Sequence, residues 1–154
     1  MQTFLTTRDM RLNARRLDPK RLGKQRVECQ QIINALSGVS KGWRNHPATL
    51  MWYGYLPCLM AYMETIVQEW VARGYKNSMR ISGILSSGTV IQEPRWWYDE
   101  RVFASHRSNL LRKDPVWYGQ YGWAESPDLP YHWPVTKEEV ETHRLYQNVM
   151  EFCP

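Results

Sequence analysis

From Leu17 to Leu36 the apolar residues Leu22, Cys29, Ile32, Ile33 and Leu36 recur at the spacing that gathers them on one side of an α-helix. Lys20, Arg21, Lys24 and Arg26 take the remaining faces. Asp18 can cap this helix, and Pro19 suits its first turn because it has no N–H to donate there. The helix is therefore expected to begin at Asp18 or Pro19 and to stop near Ser37 and Gly38. A second stripe, Leu59, Tyr62, Met63, Ile66 and Trp70, predicts a helix from Cys58 to Arg73 with Gly74 as its C-terminal cap. Residues 48–55 also read as helical, with Pro57 bending or splitting the two. Asp99 can cap a helix from Glu100 to Lys113 that turns Val102, Phe103, His106, Leu110 and Leu111 inward. Asp114 and Pro115 open a short aromatic turn, and Thr136 with Glu139 forms a capping box for a final acidic helix to about Phe152.

Between these elements the pattern breaks down. Residues 1–12 show no periodicity and are expected to be extended, with residues 11–16 forming a loop or a short turn of helix. Residues 75–98 contain Gly83, Gly88 and Pro94 and read mostly as loop, with a short hairpin or helical turn within 81–91. Ser126 to Pro134 is an irregular Pro-rich strap. No run alternates apolar and polar residues long enough to build a sheet. The expected fold is all-α: a single compact helical domain with an extended N-terminal segment, a core over 1–126, and a C-terminal helix added by the extension 127–154.

A chain of 154 residues can bury a core without disulfides or a metal. Cys29, Cys58 and Cys153 are odd in number and far apart, and they read as reduced thiols. No run is apolar and long enough to cross a bilayer, and the first residues lack the apolar centre of a signal peptide, so the reading is a soluble cytoplasmic monomer. His46, His106, His132 and His143 fall on different elements without a ligand spacing, so no metal or other cofactor is implied, and His106 reads as a hydrogen-bonded histidine at the edge of a core. Nucleotide-binding glycine loops and the Gly-x-Ser-x-Gly elbow are absent.

Charge changes the picture more. Residues 1–44 hold ten basic side chains, Arg8, Arg11, Arg15, Arg16, Lys20, Arg21, Lys24, Arg26, Lys41 and Arg44. Against them stand only Asp9, Asp18 and Glu28, a net +7 in a chain whose total is +5. Such a concentration suits phosphates, and nucleic acid is the leading partner, with an acidic protein surface or anionic lipid able to use the same charges. No basic helix has the apolar face that a membrane interface requires. Glu28 is the only acid inside the central helix and follows Lys24 by one turn. A Lys and a Glu four apart usually form a solvated pair worth roughly 0.2–0.5 kcal/mol; a lone carboxylate at the edge of a basic surface also suits chemistry on an anionic polymer. The eight Trp and nine Tyr mostly fit a helical core, with one or two free to stack on bases.

The stretches LDPKRLGKQRVE, GWRNHP, the helix ending in ARGY, and LLRKDPVWYGQYG occur in an order that resembles the endonuclease V-like pyrimidine-dimer DNA glycosylase family, over roughly residues 1–122. Residues after Pro127 have no counterpart in the phage member of that family. The resemblance implies an all-α fold whose N-terminal segment threads between helices, in a bacterial or phage-infected cell. It also implies an enzyme that releases a damaged pyrimidine from DNA and cleaves the abasic site through an imine with the chain α-amine. The catalytic carboxylate would be Glu28 and the amine that of Met1. Arg8, Arg11, Arg15, Arg21, Lys24, Arg26, Arg44 and His46 would contact DNA. A chain α-amine titrates near neutrality, unlike a lysine, so a useful fraction is nucleophilic at pH 7. Position 2 departs from the pattern: Gln2 is too bulky for routine removal of the initiator Met, and exposed Gln2 could cyclise onto its own amine. Lys24 as nucleophile, a glycosylase that uses water, and a DNA-binding protein without chemistry are the alternatives.

Overall fold

A computed structural model describes residues 1–151, and side chains as far as Leu145; Phe152, the expected end of the last helix, and Cys153 lie outside the described residues. The order is α1 (Met10–Arg16), α2 (Pro19–Leu36), α3 (Pro47–Leu50), α4 (Leu56–Ala72), α5 (Glu100–Lys113), α6 (Pro115–Gly119) and α7 (Lys137–Glu151). Single turns of 3-10 helix lie at Ile84–Ser86 and Arg95–Tyr98. The fold is all-α, with no β-bridge or β-sheet among the described residues. No described helix is long and apolar enough to cross a membrane.

The caps read from sequence set the helix starts. Asp18 accepts from the backbone N–H groups of Lys20 and Arg21, Asp99 from Arg101, and Asp114 from Trp117. Thr136 and Glu139 bond to one another's backbone N–H in a capping box. His46 starts α3 through Nδ1, which accepts from Ala48 N–H at 3.1 Å. The break between α3 and α4 falls at residues 51–55, and Pro57 does not split the pattern but lies in the first turn of α4. Gly74 stands just past α4 with φ +87, a conformation that few side-chain-bearing residues adopt.

Helices α2 and α4 form the centre of the molecule. Leu22, Cys29 and Ile32 of α2 meet Leu59, Tyr62, Met63 and Ile66 of α4 in one buried cluster with Trp52, Trp96, Trp97 and Leu110. Gly23 gives the two helices room, since a Cβ there would stand 2.9 Å from the Trp70 indole. A glycine inside a helix costs about 1 kcal/mol relative to alanine, and this close approach is what the position gains.

The N-terminal segment is extended, as the lack of periodicity implied, yet residues 2–6 are all buried. With no neighbouring strand, its backbone must bond to side chains. Thr3 N–H donates to Gln2 Oε1 at 2.8 Å, Phe4 N–H to Gln25 Oε1 at 2.8 Å, Leu5 N–H to His106 Nδ1 at 3.0 Å, and Thr6 N–H to Asn13 Oδ1 at 2.6 Å. The Phe4 carbonyl accepts from Tyr62 Oη at 2.6 Å and Asn13 Nδ2 at 2.7 Å, and the Thr6 carbonyl from Arg107 at 2.9 Å. Helices α1, α2, α4 and α5 each send a polar side chain to this one strand.

His106 is fully buried, not at the edge of the core. Its Nδ1 accepts from Leu5, so the imidazole is neutral with its proton on Nε2. Burial pushes its pKa down to about 3. In the unfolded chain histidine titrates near 6.5, so between the two values the unfolded chain binds the extra proton. Stability is thus complete above about pH 6.5 and declines as the pH falls below it. Urea unfolding between pH 7 and 4.5 should show a loss approaching ~1.4 kcal/mol per pH unit from this residue. His106→Asn, whose amide oxygen can accept the same N–H, should flatten that slope; equal slopes in both proteins would show that His106 does not drive acid unfolding.

Candidate active site

The Asp18–Pro19 start fixes where α2 begins, and the aromatic segment of α6 locks it. Tyr118 Oη accepts from Asp18 N–H at 3.1 Å and donates to the Asp18 carboxylate. From that anchor, Gln25 and Glu28 follow three residues apart and share one side of the helix. Gln25 grips the N-terminal strand at two points. Its Nε2 donates to the Gln2 carbonyl at 2.7 Å while its Oε1 accepts from Phe4 N–H at 2.8 Å. The start of the chain is thereby held along α2, and the Met1 α-amine comes to 3.9 Å from Glu28 Oε1. The Met1 side chain is buried, with its sulfur 4.0 Å from Thr49 Oγ1.

The amine and the carboxylate share a pocket of about 390 Å³ with Gln2, Phe4, Lys20, Arg21, Lys24, Lys113 and Tyr131. That volume is in the range of small-molecule sites. Lys24 Nζ lies 3.5 Å from Glu28 Oε1 and is otherwise exposed. Arg21 is fixed by Asp18 at 3.2 Å, Asp114 at 3.8 Å and the Lys113 carbonyl at 3.3 Å. Burial, followed by the charges of Arg21, Arg112 and Lys24, lowers the Lys113 pKa. The Tyr131 phenol is pushed up to about 12, chiefly by burial. One nearly buried carboxylate thus lies among four basic side chains; the cations attract an anionic ligand, while the carboxylate itself stabilises positive charge forming next to it.

The residues expected to bind DNA do not all gather here. Arg21 and Lys24 line the pocket. His46 stands nearby: burial and then the Met1 ammonium lower its pKa, while Glu28 raises it. Its ring is edge-on between Trp43 at 5.5 Å and Trp133 at 6.1 Å. Arg8 sits over the exposed Tyr98 ring at 5.1 Å. Arg11 and Arg15 border a separate cleft between α1 and α4, and Arg44 another beside Tyr53. Arg26 lies 4.0 Å over the Trp70 ring and donates to Asn77 at 3.0 Å. The helical repeat separates Arg26 from the face of Lys24 and Glu28, so the basic field that is continuous in sequence is divided in space.

Lys113 and Tyr131 enter the pocket without having been expected there, as does the grip of Gln25. Nothing local marks them. Lys113 ends α5 and Tyr131 lies in the strap, more than 80 positions beyond Glu28. No group of three or more His, Cys, Asp or Glu able to hold a metal occurs among the described residues.

The model of a family described as pyrimidine dimer DNA glycosylase matches residues 1–82, just over half of the 154-residue chain. The match contains the N-terminal strand, α2 with Glu28, and α4. It ends before α5, so LLRKDPVWYGQYG, Lys113 and Tyr131 fall outside it. No curated protein and no solved structure matches.

If Gln25 holds the strand, Gln25→Met, which keeps bulk but neither donates nor accepts, should leave the Phe4 N–H and the Gln2 carbonyl unpaired. The expected loss is about 1–3 kcal/mol for each unmet group in urea unfolding, with faster hydrogen exchange at the Phe4 amide. Unchanged stability together with retained protection at Phe4 would contradict this role.

Proposed function

Since the chain belongs to the pyrimidine dimer DNA glycosylase family, we propose that it releases a damaged pyrimidine from duplex DNA and then opens the abasic site. Met1 supplies the nucleophile and Glu28 the carboxylate. The observation that carries this reading is the 3.9 Å separation of the Met1 amine from Glu28 Oε1 within a cation-lined pocket. A sugar carbon placed against both groups would be within near-attack distance of each.

The neutral amine attacks C1′ and forms a C–N bond while the glycosidic C1′–N bond breaks and its electron pair leaves with the base, which takes up a proton. Positive charge develops at C1′, and the carboxylate of Glu28 stabilises it, as in glycoside hydrolysis. Loss of an amine proton and opening of the C1′–O4′ bond give an imine. Glu28 then accepts a proton from C2′, and the C3′–O bond breaks with the electron pair going to the 3′ phosphate. Hydrolysis of the imine returns the amine. Lys20, Arg21, Lys24 and Lys113 hold the phosphates on either side, so affinity falls as salt rises. The target nucleotide is made accessible by bending the duplex or by flipping a nucleotide out of the stack.

Glu28→Gln removes the carboxylate charge at nearly constant shape. Base release should fall by roughly 10²-fold or more, with duplex affinity retained or increased because one negative charge has been removed from among four cations. Turnover equal to that of the unaltered protein would sink the assignment of Glu28.

A further inference from the structure

The strap beyond α6 is fastened to the outer side of α5. Leu129 N–H donates to Ser108 Oγ at 3.0 Å, Asn109 Nδ2 donates to the Leu129 carbonyl at 3.2 Å, and Arg112 donates to the Pro127 carbonyl at 3.3 Å. Two residues later the strap brings Tyr131 against the pocket that contains Met1, Phe4 and Glu28. The ring is clamped: it stands edge-on to His106 at 5.7 Å and tilted against Trp133 at 5.5 Å. The hydroxyl is not among the buried polar atoms that lack a partner, and it makes no hydrogen bond to any described residue. A fixed phenol with an uncommitted hydroxyl therefore borders the reacting groups.

We propose that Tyr131 is a specificity-determining residue: its hydroxyl meets the polar edge of the damaged pyrimidine while the sugar lies between Met1 and Glu28. This inference rests on the glycosylase reading above. A phenol can donate to a pyrimidine carbonyl or accept from a ring N–H, and its clamped ring loses little freedom in doing so. A site that hydrogen-bonds its substrate discriminates strongly, because a base lacking the matching group leaves the site's own polar group unpaired. An abasic sugar has no base to meet, so the hydroxyl should not affect it.

Tyr131→Phe keeps the ring on His106 and Trp133 and removes only the hydroxyl. The full chain and this variant would be compared on two duplexes, one carrying a cyclobutane pyrimidine dimer and one an abasic site. The readouts are glycosidic-bond cleavage, revealed by alkali as a strand break, on the first, and affinity with borohydride trapping on the second. The expected result is a fall of about tenfold or more in glycosidic cleavage of the dimer, the order of one substrate hydrogen bond, at least about fivefold larger than any loss of abasic affinity or trapping. Equal losses on both duplexes would make Tyr131 a packing residue, and no loss on either would make it a bystander; each overturns the inference. If the unaltered protein handles abasic DNA but leaves the dimer intact, recognition of dimers by Tyr131 is overturned while the amine chemistry stands. If it acts on neither duplex, the glycosylase reading fails and takes this inference with it.

Discussion

The structure depends on a strand that has no sheet. Residues 2–6 run extended through the interior, and a buried peptide group without a partner costs about 1–3 kcal/mol. Gln2, Asn13, Gln25, Tyr62, His106 and Arg107 supply the bonds that a neighbouring strand would otherwise make. Part of the polar interior of this helical protein, Asn13, Gln25 and His106 among it, follows from that need. These bonds also specify register: a shift by one residue would turn the Phe4 N–H away from Gln25 and the Leu5 N–H away from His106, losing several bonds at once.

The same constraint positions the two groups proposed to react. Gln25 and Glu28 are three residues apart on α2, so the side chain that grips the strand and the carboxylate that faces its first residue are carried by one rigid element. The amine is delivered to Glu28 by backbone register and not by a flexible side chain. Tyr118 fixes the start of α2 from the far end of the chain, and Arg73 closes the preceding turn through the carbonyls of Ala14, Arg15 and Leu17. The pocket is then completed by Lys113 at the end of α5 and by Tyr131 on the strap.

Local physics made much of this legible. Asp18–Pro19, Asp99, Asp114–Pro115 and the Thr136/Glu139 box are contained within a turn of chain, and they mark the helix starts found. Periodicity identified the α4 face and the unpatterned N-terminal strand. Glu28 stood out as the one acid among cations in α2, and the structure puts it next to the Met1 amine. Periodicity had no means of finding Gln25 or Asn13, which as polar residues default to the surface and are buried only because a distant backbone requires them. Leu5 and His106 meet across 101 positions, and a pairing that long leaves no local trace. The basic residues do not all line one pocket for a simpler reason: nearness in sequence is not nearness on a helix, and Arg26 turns to the Trp70 indole while Lys24 turns to Glu28.

The central claim is that backbone register makes the chain's own amine the nucleophile. It is tested most directly by trapping the protein, its first residue verified by mass, on an abasic duplex with borohydride and mapping the adduct by peptide mass spectrometry. The account predicts a covalent sugar adduct on the α-amine of Met1, 3.9 Å from Glu28. An adduct on Lys24, or none while base is still released, would contradict it.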